Sequence, residues 1–187
     1  MKNPIKFGLL AAIFVFNVTA NAQKITSWSK EVTVIKSEPN KTVTVDGDLA
    51  DGKIMEDLSW ASSSSNACFP ATQNLKYRGN HVLYATTMQP RSIMKIVVTP
   101  DDESANMSLY SYRIGNGDFS LVPNLPRSIT CESNEKWNRP WKNKVQTHER
   151  KVEFQNPGQN TYNIVIGVSD PKGITTGKYK VSVILES

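Results

Sequence analysis

The chain is poor in the residue types that carry most enzyme chemistry: its 187 residues include two cysteines and two histidines. Cys68 and Cys131, far apart, together with His81 and His148 fit no zinc-ligand spacing. There is no Gly-x-Ser-x-Gly elbow, no His-Glu-x-x-His pair and no phosphate-cradling glycine loop. His148 lies beside Glu149 in an expected strand, where neighbouring side chains point to opposite faces, so the two make a poor acid–base pair. No stretch repeats apolar residues at helical spacing, which argues against a helical bundle. Beyond Val18, no apolar run is long enough to span a bilayer as a helix. These gaps point away from catalysis and leave binding as the expected activity.

The beginning of the chain carries a compartment signal. Lys2 and Lys6 precede an apolar run from Phe7 to Val18, and Ala20, Asn21 and Ala22 supply a small-residue cleavage site. That order is the three-part pattern of a secretory signal peptide over 1–22. No cysteine follows the expected cut, which argues against a bacterial lipid anchor. Removing the leader with its two lysines lowers the net charge from +5 to +3. The exported product is expected to be extracellular or periplasmic. In such a compartment Cys68 and Cys131 are expected to form a disulfide, closing a loop worth about 4 kcal/mol on the chain-entropy model.

Charge is unevenly placed. Asp46, Asp48, Asp51, Glu56 and Asp57 make the early part acidic, whereas Lys136, Arg139, Lys142, Lys144, Arg150 and Lys151 make a later part basic. A basic patch can meet an anionic polymer or simply form a solvated face. Export and the lack of any recognition motif argue against nucleic acid.

Alternating segments recur along the chain: 30–36, 41–46, 81–88, 92–99, 107–114, 151–154, 161–168 and 178–185. They are rich in Val, Ile, Tyr and Thr, and turn sequences such as "GNGD", "NPGQN" and "DPKGITTG" separate them. Such a chain reads as an all-β sandwich or barrel. The period of two places Tyr162, Ile164, Ile166 and Val168 on one face, as it does Tyr179, Val181, Val183 and Leu185, and Met94, Ile96 and Val98. These are the expected core. Residues 23–45 are either an N-terminal strand or an extended lead-in, and 46–187 the sandwich. "ASSSSNACFPATQN" (61–74) and "CESNEKWNRPWKNK" (131–144) break the alternation and read as loops, which a Cys68–Cys131 bond would tie together.

The sequences "GNHVLYATTMQPRSIMKIVVTP", "MSLYSYRIGNG" and "NTYNIVIGVSDPKGITTGKYKVSVIL" resemble, in their order, the bacterial pre-peptidase C-terminal domain family. The likeness runs from about Gly79 to Leu185. It implies an antiparallel β-sandwich of jelly-roll type, a non-catalytic role and, in some members, bound calcium or attachment to an insoluble substrate. This chain departs from the family setting in having no peptidase domain before the sandwich and in carrying the long insertion around "KWNRPWKNK".

Two candidate sites follow. In the insertion, Trp137 and Trp141 offer flat faces, Arg139 and Lys142 directional contacts, and Pro140 stiffness that lowers the ordering cost of binding. The other reading of the same residues is a tryptophan that covers the sandwich edge with Arg139 stacked on it. The acidic "DGDLADG" stretch lacks the EF-hand pattern, because its glycine falls one step late. Asp46, Asp48 and Asp51 with Asp101 and Asp102 are candidate calcium ligands, or else the stretch is a pair of Asp-Gly turns. The expected partner is an extracellular polymer or a separate secreted protein.

Overall fold

The computed structural model describes residues 26–140, 142 and 144–187, so the signal-peptide reading lies outside the described residues. Ten strands form: β1 (Thr33–Val34), β2 (Lys41–Asp48), β3 (Lys53–Ile54), β4 (Asn80–Met88), β5 (Ser92–Pro100), β6 (Ser108–Gly115), β7 (Thr130–Asn134), β8 (Arg150–Asn156), β9 (Tyr162–Ser169) and β10 (Lys178–Glu186). They build an antiparallel-rich β-sandwich. One sheet has the order β1-β4-β9-β6-β7 with β3 also on β4; the other has the order β2-β10-β5-β8. From β4 to β10 every connection except β6–β7 crosses from one sheet to the other, the path a jelly roll takes.

The core between the sheets follows the alternation. Met94, Ile96 and Val98 of β5 face Tyr179, Val181, Val183 and Leu185 of β10, all nearly inaccessible. Ile164, Ile166 and Val168 of β9 close on them from the other sheet. Burying each such side chain contributes roughly 1.5–3 kcal/mol. Tyr84 and Tyr179 join the layers with a 2.9 Å hydroxyl–hydroxyl hydrogen bond. Tyr162, expected among the core residues, stands half-buried at the start of β9 with the Arg113 guanidinium 5.0 Å from its ring centroid.

The six-stranded sheet is also buried on its outer face. Tyr110, Tyr112, Ile114 and Val165 point away from the sandwich core and meet Leu58, Trp60, Phe69 and Tyr77. These covering residues come from the segment between β3 and β4, which makes two 3-10 turns, Ser59–Ser62 and Ala71–Tyr77. Phe69 and Tyr77 stack at 3.8 Å, and Trp60 meets Phe69 edge-on. The Cys68–Cys131 disulfide forms, with Cα atoms 5.2 Å apart, and fastens this cover to β7. The 58–77 segment is therefore a third layer over the sheet, with Ser62 to Ser65 exposed on its outer side.

Four expectations change. Residues 131–134 belong to β7, although the stretch they open reads as irregular; β6 imposes the strand by pairing Leu109 to Arg113 with Asn134 to Thr130. Polar residues suit an edge strand, whose outer side faces water. Of 30–36, only Thr33–Val34 pairs, in parallel with Tyr84–Ala85. His148 and Glu149 precede β8 instead of lying within it. Strand β2 runs through position 45, so the segment 23–45 contributes to both sheets.

Gly167 is where this architecture is tightest. It pairs with Leu83 on one side and Tyr110 on the other, and the Tyr110 ring lies across it to reach His81 on β4. A Cβ there would sit 2.0 Å from Tyr110 Cζ. We expect Gly167→Ala to displace that ring and lower stability by about 2–3 kcal/mol in urea unfolding, with a changed near-ultraviolet tyrosine signal. An unchanged midpoint would show that the outer aromatic layer is not rigid.

Candidate functional site

The loop between β7 and β8, residues 135–149, starts on the edge strand of one sheet and ends on the edge strand of the other. It thus closes one open side of the sandwich. Gln146 bridges its neck: Gln146 Nε2 donates to the Glu135 carbonyl at 2.9 Å, and Gln146 Oε1 accepts from the Trp137 amide at 2.6 Å. The Glu135 carboxylate turns inward and accepts from the Tyr77 hydroxyl at 2.8 Å. Lys76 donates to the Lys136 carbonyl, tying the loop to the 3-10 turn below.

Beyond this neck the loop is exposed. Trp137 keeps 37% of its surface accessible and Val145 93%. Lys136, Arg139, Pro140, Lys142 and Lys144 are exposed around them. Trp141 lies outside the described residues. With Glu135 drawn inside, the outward charge of the tip is positive. The loop joins the two sandwich edges and leaves Trp137 and its neighbouring cations accessible. Sequence reasoning missed Gln146, since a glutamine near a loop end has no signature until the chain folds back.

Under the loop lies a buried polar group that the sequence did not reveal. Arg150, 1% exposed, donates from one guanidinium nitrogen to the Thr147 and Glu149 carbonyls, at 2.9 and 2.7 Å. Asp170, 2% exposed, faces the same charge, and burial pushes its carboxyl up to about 6 against the opposing pull of Arg150. On the other side of Tyr77, His81 Nε2 donates to the Tyr77 carbonyl at 2.6 Å and Nδ1 accepts from the Tyr110 hydroxyl at 2.9 Å. Burial lowers the His81 pKa to about 4, so the ring is neutral with both nitrogens engaged.

The acidic candidates take up structural contacts. Asp46 pairs with Lys180 Nζ at 2.7 Å. Asp48 accepts from the amides of Ala50 and Gly177, and Asp102 from the amide of Ser104. Asp51 and Asp101 are exposed. The fold does bring the two acidic loops to the same end of the four-stranded sheet, since Lys178 pairs with Asp48 and its carbonyl accepts from the Asp101 amide. Lys178 and Lys180 stand between them, so lysine charge already meets these carboxylates. Among the described residues, no three acidic, histidine or cysteine side chains gather as a metal site.

No protein-family model matches the chain, and no curated protein does. Solved structures similar to it include the pre-peptidase C-terminal domain of a collagenase from Bacillus anthracis, at 12% identity over 83% of this chain and 98% of that one, with a TM-score of 0.39. A periplasmic inhibitor of g-type lysozyme from Aeromonas hydrophila matches at 10% identity over 83% and 97%, TM-score 0.40. CorA, a surface-associated copper-binding protein of Methylomicrobium album BG8, matches at 12% over 83% and 98%, TM-score 0.43. A pre-peptidase C-terminal domain thus stands among the similar structures, at an identity and superposition too low to assign the family.

His81 and Asp170 give stability opposite pH dependences. The folded pKa of His81 lies below its unfolded value, so its contribution is present above about pH 6.5 and lost as pH falls towards 4. The folded pKa of Asp170 lies above its unfolded value, so its burden is relieved as pH falls through 6. In Asp170→Asn the His81 effect stands alone, and stability should drop by roughly 2 kcal/mol between pH 7 and 4.5, more steeply than in wild type. Urea titrations at the two pH values measure this; parallel losses in both proteins would remove Asp170 from the account.

Proposed function

We propose that the protein is an exported, non-catalytic binding module that attaches to a polysaccharide or other extracellular polymer through the tip of the 135–149 loop. The carrying observation is the Gln146 clamp, which holds the neck while Trp137 stays over a third exposed. A loop fixed before contact loses less conformational entropy on binding. An aromatic ring can stack on a sugar ring, and Arg139 and Lys142 beside it add direction. Four cations on the tip, Lys136, Arg139, Lys142 and Lys144, favour a polymer that carries negative charge. The disulfide fits an oxidising compartment and so supports export.

Docking onto a separate secreted protein through a flat apolar sheet is the second reading, and the surface favours it less. The outer face of the four-stranded sheet mixes Ile93, Val97 and Ile184 with Lys95, Lys151 and Glu153. Ion pairs such as Lys95–Glu186 and Lys180–Asp46 cross it.

Pull-downs of the exported protein against insoluble polysaccharides, peptidoglycan and collagen test the proposal. Wild type should be retained on one polymer, and Trp137→Ala and Trp141→Ala should each lower retention at least tenfold while keeping the wild-type melting temperature. Gln146→Ala should weaken retention several-fold, because the tip is intact but no longer held. Retention unaffected by any of the three substitutions would exclude the loop.

A further inference from the structure

A second concave surface lies on the far side of the outer aromatic layer from the loop. It is an open groove of about 1450 Å³ between the 27–32 segment, the 51–63 segment and the 119–124 turn. That is larger than the several hundred to one thousand Å³ usual for a small-molecule pocket, so it suits an extended occupant. Its walls are aromatic: Trp28 meets Phe119 edge-on at 5.2 Å, and Trp60 lies along the same groove. Trp60 is 8% exposed, yet its indole N–H has no hydrogen-bond partner among the described residues. That nitrogen is itself sealed from solvent, so Trp60 offers an occupant the accessible part of its ring and not its N–H.

Two more observations specify the occupant. His81, Val82 and Leu83 of β4 line the groove, and the edge of β4 there carries the two-residue strands β1 and β3 with Gly52 packed against His81. β3 ends its pairing at His81 and β1 begins at Tyr84, leaving Val82 and Leu83 between them without a register partner on that edge. The length of the groove along this strand, and not a free sheet edge, suits an extended polypeptide. The charge of the groove runs against that of the molecule. Glu31, Asp51, Glu56 and Asp57 outnumber Lys30 and Lys53 in its lining, with Lys53 paired to Glu31 at 3.2 Å, whereas the whole chain is net positive.

We infer that this groove is a second binding site, for an extended cationic polypeptide segment of another protein anchored by aromatic or large aliphatic side chains. The anchors enter between Trp28, Phe119 and Trp60, and the cations meet Asp51 and Glu56. The inference does not depend on the polymer-binding loop.

Calorimetry and tryptophan fluorescence with three synthetic octapeptides test it: lysine alternating with phenylalanine, glutamate alternating with phenylalanine, and lysine alternating with serine. The first should bind the exported protein at least tenfold more tightly than the other two. Trp28→Ala, at a half-buried position and checked for an unchanged melting temperature, and the double reversal Asp51→Lys/Glu56→Lys, at exposed positions, should each weaken it at least tenfold. Trp137→Ala should leave it unchanged, which separates this site from the loop. Equal binding of the glutamate and lysine peptides, no binding of any, or affinity indifferent to both groove variants would overturn the inference. So would self-association of the protein that the groove variants abolish, since the occupant would then be a second copy.

Discussion

Everything in this protein depends on one sheet being buried on both faces. In a two-layer sandwich the outer side of each sheet meets water, and its strands read apolar in and polar out. Here β4, β6 and β9 carry apolar or aromatic residues on both sides, and the 3-10 segments between β3 and β4 supply the missing layer. Trp60, Phe69 and Tyr77 bury against that sheet face, and Val122 and Leu125 from the β6–β7 connection complete the cover. The Cys68–Cys131 bond fastens the cover to the edge strand that ends closest to the loop.

That third layer also sets where binding surfaces can exist. Tyr77 touches both of them: its hydroxyl fixes Glu135 at the loop neck, and its carbonyl holds His81 on the floor of the groove. The two surfaces therefore share a rigid aromatic base, on which each presents a different chemistry. The loop is cationic because Glu135 is drawn inward, and the groove is acidic because the 51–57 segment follows the acidic end of β2. Charge asymmetry along the sequence thus becomes charge asymmetry across the surface.

Arg150 and Asp170 show a different economy. Both are almost fully buried near the sandwich edge, where the chain crosses between sheets. Carbonyls of Thr147 and Glu149, left without strand partners by that crossing, accept from Arg150. A buried cation held by two backbone carbonyls near a buried carboxylate makes removal of either group costly, because the other is left uncompensated.

The sequence by itself determined the strands that alternate most strongly, from β4 to β6 and β8 to β10, together with the core face of β5, β9 and β10 and the cysteine pair. A period of two over six or more residues leaves little freedom in which face is buried. It also singled out Trp137, Arg139 and Lys142 by composition. Only the tertiary structure decided that 131–134 is a strand, because β6 imposes the pairing on polar residues with little strand character of their own. It decided that Trp60, Phe69 and Tyr77, on and around the Ser-rich loop, form a layer over the sheet, because they lie too far apart in sequence to show a period. Gln146, the groove and the Arg150–Asp170 pair were likewise invisible, since each is made by residues that meet only when distant segments close on one another.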